Sequence, residues 1–239
     1  MAPEPYSWSW NPEALALVPA MTIGYVLLLR RRPATPWQIA SFLLGMALVV
    51  AVTVTPVETI ALHYLLSVHL LQNVVLAEWA PALVVLGVPT AFAASLPRVS
   101  PIPALLLWVG NYMVWHLPWI YDAALRNPHT LLHLEHATYF ATGLMLWWPV
   151  VHGRLSAGYK ATYLFSAFAL ASSIGLLLAL IPKPVYEFYV DAPEELWGLD
   201  PLLDQQIAGV TMAVEEALVF FAAFAFFFAR FLREQEAAG

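Results

Sequence analysis

Six of the seven histidines fall in three short stretches: His63 and His69, then His116, then His129, His133 and His136. Only His152 lies apart. His129, His133 and His136 stand at i, i+4 and i+7, the spacing of one helix face. His69, Gln72 and Asn73 stand at i, i+3 and i+4, and Met113 lies three residues before His116. Gln205 and Met212 are seven apart, with Asp204, Ala208, Thr211 and Glu215 as a neighbouring stripe. His63 is turned about 240° from His69 on a helix, and Glu135 is likewise turned away from His133. Imidazole nitrogens with optional thioethers and no thiolate suit copper, above all copper(I); imidazole alone also suits zinc. Two histidines on different helices are also what a haem needs. The chain has no cysteine, which excludes disulfides, thiolate metal sites and a cysteine nucleophile.

Clustering on three separate stretches singles out His69, His116, His133 and His136 as metal ligands. Gln72 and Asn73 are the nearest candidates to support them. His63 and His129 carry only the general expectation for ionisable groups near a membrane. Met113 and Met212 are optional ligands whose commoner role is packing. Asp204 and Gln205 mark a polar helix start. Glu78, Glu215 and Glu216 are costly in hydrocarbon and are candidates for proton relay or for pairing with an arginine.

The elements that must position these groups follow from composition. Of 239 residues, 61% are hydrophobic and 11% charged, against about a quarter charged in a soluble domain. A membrane is the natural solvent for such a chain. The opening MAPEPYSWSWNPE has no basic region, so no cleavable signal peptide is expected. The whole chain, 1–239, reads as one integral membrane domain without internal repeats and without features of a nucleic-acid binder. Apolar runs long enough to span lie at roughly 14–31, 36–55, 60–90, 101–121, 129–151, 159–181 and 205–232. The run from 60 contains Pro81 and reaches Pro89, so it is one kinked helix or a broken pair. Charge decides for one. With seven spans, eight of the ten basic residues share one side: Arg30, Arg31, Arg32, Arg98, Arg154, Lys160, Arg230 and Arg233. Only Arg126 and Lys183 lie on the other. The expectation is therefore an all-α bundle of seven transmembrane helices, N-terminus outside and C-terminus cytoplasmic.

That topology collects six histidines at the outer side. It also places the acidic stretch 182–206 outside, with Glu187, Asp191, Glu194, Glu195, Asp200 and Asp204 against Lys183 alone. Such a stretch is either a solvated loop or a docking surface for a basic protein domain. The aromatic tail at 220–232 reads as lipid-facing helix.

Four segments then form a pattern: HLLQNVVL…PALVVLGVP at 69–89, WHLPWIYDAAL at 115–125, LEHATYFATGLMLWWPV at 134–150 and DQQIAGVTM at 204–212. Together, in this order over roughly 15–230, they resemble the caa(3)-type cytochrome c oxidase assembly factor family, CtaG. The resemblance implies a seven-helix bacterial plasma-membrane protein that takes part in copper delivery to maturing haem–copper oxidases. The polar family positions it carries over are His69, Gln72, His116, Asp122, His133, His136, Asp204 and Gln205. One position departs: the family motif usually has a second histidine where this chain has Asn73.

The expected function is a membrane copper chaperone for oxidase assembly, with oxidase subunits as partners and no catalysis required. The alternatives are a haem-carrying electron-transfer subunit, a structural subunit of a respiratory complex, and a metal or proton transporter using Glu78 and Glu215.

Overall fold

A computed structural model describes residues 3–192 and 195–237, apart from the side chains of Pro12 and Glu13. Among these residues the secondary structure is helical throughout, with no strand. The helices are α1 (Pro12–Leu29), α2 (Pro36–Val54), α3 (Pro56–His63), α4 (Leu66–Val74), α5 (Ala80–Gly87), α6 (Thr90–Ala93), α7 (Pro101–Trp115), α8 (Pro118–Arg126), α9 (His133–Val151), α10 (Ala157–Leu180), α11 (Glu187–Val190), α12 (Pro201–Glu216) and α13 (Ala222–Glu236). Wider π-helical turns join α4 to α5 (Val75–Trp79), lead into α9 (Pro128–Leu132) and join α12 to α13 (Ala217–Phe221).

Four continuous helical stretches are long and apolar enough to cross a membrane: Pro36–Val54, Leu66–Gly87, Ala157–Leu180 and Pro201–Glu236; Ala14–Leu29 is apolar but shorter. The surface supports the same solvent. Leu106, Leu107, Leu176, Leu177, Val210 and Leu218 are exposed, while His69, Gln72, Glu78, Glu135 and Glu216 are fully buried. A bundle that is greasy outside and polar inside is one that meets lipid.

Helix starts are legible locally. Proline occupies the first turn of α2, α3, α7, α8 and α12, where its missing N–H costs nothing. Thr35 and Gln38 form a capping box on α2, Thr55 caps α3, and Asp200 accepts from Leu202 N and Leu203 N at 2.9 and 3.0 Å.

Two expected spans are shorter than the sequence indicates. The run at 60–90 breaks at Tyr64 and Leu65, leaving Leu66–Gly87 continuous. No proline or glycine marks that break. Asp204, from α12, accepts from Leu66 N at 2.6 Å and Ser67 N at 3.2 Å, and the Ser67 hydroxyl also donates to it. A carboxylate from the far end of the chain thus caps α4. The run at 101–121 ends at Trp115, because Pro118 confines Leu117 to extended backbone (φ −66°, ψ 125°).

Helix continues through Pro81, from Leu66 to Gly87. The proline leaves the carbonyl of Ala77, four residues before it, without a helical donor. The π turn at Val75–Trp79 absorbs the irregularity, and the Trp108 indole N–H donates to Ala77 O at 3.2 Å. Gly143 of α9 packs against the same carbonyl and Pro81, where a Cβ would collide. α10 and α12 approach equally closely: a Cβ on Gly175 would stand 2.8 Å from Gly209 O. Small residues at crossings let membrane helices pack backbone to backbone.

Candidate metal centre

His69, His116 and His136 lie at one end of the bundle, where α4, α9 and α12 begin and α7 and α10 finish. His69 sits on the first turn of α4, His116 is the C-cap of α7, and His136 lies on the first turn of α9. All three are buried, at 0%, 7% and 5% exposure. The His69 and His136 rings stand 6.2 Å apart, centroid to centroid, and nearly perpendicular at 86°. Tyr121 of α8 lies between the other pair, 5.1 Å from the His69 ring and 6.3 Å from the His116 ring.

Hydrogen bonds decide which ring nitrogen is available. His116 Nδ1 is 2.8 Å from the carbonyl of Tyr112. A carbonyl only accepts, so Nδ1 carries the proton and Nε2 keeps its lone pair. For His69 the chain is one link longer. Tyr189 donates its hydroxyl proton to Ala61 O at 2.6 Å, so it accepts from His69 Nδ1 at 2.8 Å. Tyr121 also approaches that nitrogen, at 3.0 Å. Nε2 of His69, Nε2 of His116 and both ring nitrogens of His136 are buried without a hydrogen-bond partner. An orphaned buried acceptor costs roughly 1–3 kcal/mol, and His69 and His136 bring two such imidazoles side by side while His116 adds a third beyond Tyr121. Fixing the proton on Nδ1 while Nε2 faces inward is how proteins prepare an imidazole for a metal.

The donor set fits a soft, low-coordinate ion. Two metal–nitrogen bonds of roughly 2 Å plus two ring radii span about 6 Å, the separation of the His69 and His136 rings. Among the described residues, no three of His, Cys, Asp and Glu are already drawn together at metal-holding distance. A third ligand from His116 therefore needs side-chain movement past Tyr121.

The remaining expected residues part company. His133 is half-buried and its ring pairs with His129 at 6.4 Å, so it lies behind His136 rather than beside His69. His63 neighbours the Tyr64 ring at 6.5 Å, and Met113 is 42% exposed on the outer face of α7. Met212 is fully buried against Gly175 of α10 and serves packing. Gln72 turns away, donating to Val52 O at 2.7 Å and to Glu58. Asn73 donates to Glu135 at 2.9 Å. Gln205 holds the segment after α10, accepting from Val185 N at 2.7 Å and donating to Leu178 O and Lys183 O. Asp122 accepts from Glu187 N and Phe188 N, both at 3.2 Å, capping α11. Asp204 caps α4 as described. The positions carried over from the resemblance thus divide into the buried imidazoles of His69, His116 and His136, the polar braces Gln72, Asp122, Asp204 and Gln205, and His133, which pairs with His129 instead. Of the buried stripe on α12, the carboxyl that faces inward is Glu216, while Glu215 is half-buried beside it.

Sequence reasoning missed four contributors: Glu58, Glu135, Tyr121 and Tyr189. Glu135 is fully buried. The aromatic residues carried no signal distinguishing them from membrane-belt tyrosines. The acidic stretch is likewise more than a solvated loop. Tyr186 folds inward to donate to His116 O at 3.1 Å and packs on Tyr121, 4.2 Å between ring centroids. Burial, then the Asp204 charge, push the Tyr189 phenol well above its ordinary range, so it remains a donor at neutral pH. Glu187, Asp191 and Glu195 remain exposed, and Asp191 lies 4.0 Å from Arg126. Glu194 lies outside the described residues.

A cavity of about 650 Å³ lies between α1, α2 and α9. Met21, Thr53, Leu76, Phe140 and His136 are among its walls, so it reaches the cluster from the side of the bundle.

No curated protein and no solved structure matches the chain. The model of the family described as cytochrome c oxidase caa3 assembly factor (Caa3_CtaG) matches residues 22–234, nearly the whole length and all of the helices that build the cluster. The chain therefore belongs to the cytochrome c oxidase caa3 assembly factor family.

Proposed function

We propose that the protein holds copper(I) as cargo for a haem–copper oxidase under assembly, at His69, His116 and His136. The observation that carries this reading is the set of buried imidazoles whose Nε2 lone pairs have no protein partner. Copper(I) accepts neutral imidazole at low coordination number and leaves the site without a change in any covalent bond. The role is therefore one of capture and release rather than catalysis. The cavity beside His136 supplies a lateral route to a partner in the membrane, and the exposed Glu187, Asp191 and Glu195 supply a rim that attracts a basic domain of the oxidase. We place the protein in a bacterial plasma membrane with seven spans and the cluster at the outer side. The arginine-bearing end opposite it faces the cytoplasm.

Metal analysis of the purified protein tests the reading. His69→Ala, His116→Ala and His136→Ala should each weaken copper(I) binding by at least the roughly 10–100-fold that follows damage to a ligand's supporting contacts. His133→Ala should weaken it less, and His152→Ala, at the far end, not at all. Full copper retention in all three of the first variants sinks the proposal.

A further inference from the structure

A second polar cluster lies apart from the imidazoles and contributes no ligand to the cargo. Glu78 is fully buried in the π turn between α4 and α5, and neither of its carboxyl oxygens has a hydrogen-bond partner. Glu216, also fully buried, is the last residue of α12, immediately before the π turn at Ala217–Phe221. Tyr112 donates its hydroxyl to Glu216 Oε1 at 3.1 Å, and the other oxygen is unpartnered. The groups around the pair are Glu215 on α12, Tyr112 on α7, Tyr139 on α9 packed against Tyr112, and the Ser172 hydroxyl of α10 beside Glu216. None of them is basic. Each acid thus adjoins a π turn, a local irregularity that recurs at functional sites.

We propose that Glu78 and Glu216 are a proton-binding site that holds one proton between them and releases it when copper(I) enters the imidazole cluster. The geometry gives both halves of this statement. Two fully buried carboxylates that repel one another in a water-poor interior, with no basic group among the residues around them, cannot both stay ionised; a proton held by the pair gives their orphaned oxygens a donor. The link to the imidazoles is Tyr112. Its hydroxyl binds Glu216, its carbonyl binds His116 Nδ1, and its ring lies 4.7 Å from the His116 ring. A copper ion arriving at neutral imidazoles brings one positive charge into the bundle. Loss of the proton from the Glu78–Glu216 carboxyl to bulk water leaves a carboxylate, so the net buried charge is unchanged. At an effective dielectric near 20, a carboxylate roughly 10 Å from a cation strengthens its binding roughly tenfold. Charge exchange also supplies a release mechanism: returning the proton loosens the ion.

The coupling rests on the copper-holding reading, whereas the shared proton does not, and the experiment separates them. An infrared spectrum of the purified apo-protein at neutral pH should show the carbonyl stretch of a protonated carboxyl. Its intensity should fall in Glu78→Gln/Glu216→Gln, leaving the share owed to the buried Glu135, and stay unchanged in Glu215→Gln. Copper(I) is then added anaerobically as its acetonitrile complex at about pH 8, above the ordinary imidazole range near 6.5. The wild type should release about one proton per ion bound, the double variant none, and the double variant's affinity should fall roughly tenfold. Tyr112→Phe, which keeps ring and carbonyl, should reduce the coupling and leave the fold intact. An infrared band unchanged by the double substitution overturns the proton site. Copper binding without proton release overturns the coupling. A proton site that behaves as expected in a wild type that binds no copper overturns the copper reading and the coupling, and upholds the acid pair.

Discussion

The lone pair that His69 offers is set by residues more than fifty positions away in sequence. Tyr189 fixes the proton on Nδ1 because its own hydroxyl is committed to Ala61 O. Removing that hydroxyl with Tyr189→Phe keeps the ring and its packing but frees the His69 tautomer. Copper(I) affinity should fall by roughly 10–100-fold with unchanged helicity and melting behaviour. Equal affinity in the variant and the wild type shows that Tyr121 alone suffices to orient the imidazole. Asn73, at the position where the resemblance leads one to expect a histidine, has a clear structural role. Asn73 bonds Glu135 rather than facing the orphaned Nε2 atoms, so its amide braces α4 against α9.

At the scale of elements, the cluster depends on how closely α10 and α12 approach. Gly175 and Gly209 face each other there, and α12 in turn carries Asp204, which caps α4 and so places His69. A side chain at Gly175 must push α12 away. Gly175→Leu should cost about 1–3 kcal/mol or more by overpacking, read as a lower melting temperature in detergent. Copper affinity should fall with it, although residue 175 touches none of the histidines. A variant that melts like the wild type and binds copper equally well shows that α12 moves without disturbing α4. The three π turns lie beside Glu78, beside Glu216 and at the entry to α9. Two of them thus adjoin buried acids, whereas Pro128–Leu132 buries only Leu132.

For the whole molecule, the two ends of the bundle differ in chemistry. One holds the imidazoles and the acidic rim. At the other, Arg98 and Arg154 line one surface hollow with His152, and Arg30, Arg31 and Arg32 line another. His152 donates to Val85 O at 3.0 Å there, tying the end of α9 to α5. α12 and α13 with their π turn form one 36-residue helix, about 54 Å long at 1.5 Å per residue, well beyond a hydrocarbon core of about 30 Å. Its last turns carry Arg230, Arg233, Glu234 and Glu236. Reporter fusions after Arg98, Arg154 and Glu236 should all read cytoplasmic, and one near Asp191 external. Opposite readings for Arg98 and Arg154 would break the proposed seven-span topology.

Membrane character, the helical class and the family were legible in the chain alone, because hydrophobic length, charge bias and short motifs are local properties. Of the four histidines singled out by their spacing, the structure sets the His69 and His136 rings 6.2 Å apart and leaves His116 beyond Tyr121 and His133 beside His129. The break at Tyr64–Leu65 was not legible, because its cause is Asp204, 138 positions from Leu66. Periodicity also could not separate His136, which faces His69, from His133, which faces His129: both lie on the same arc of one helix, and only the neighbours α4 and α8 choose between them. The same holds for Glu216 over Glu215. Spacing along a chain states which residues share a side of a helix. Which side is buried, which nitrogen keeps its proton and which carboxylate becomes a cap are settled by partners distant in sequence, and those exist only once the bundle has packed.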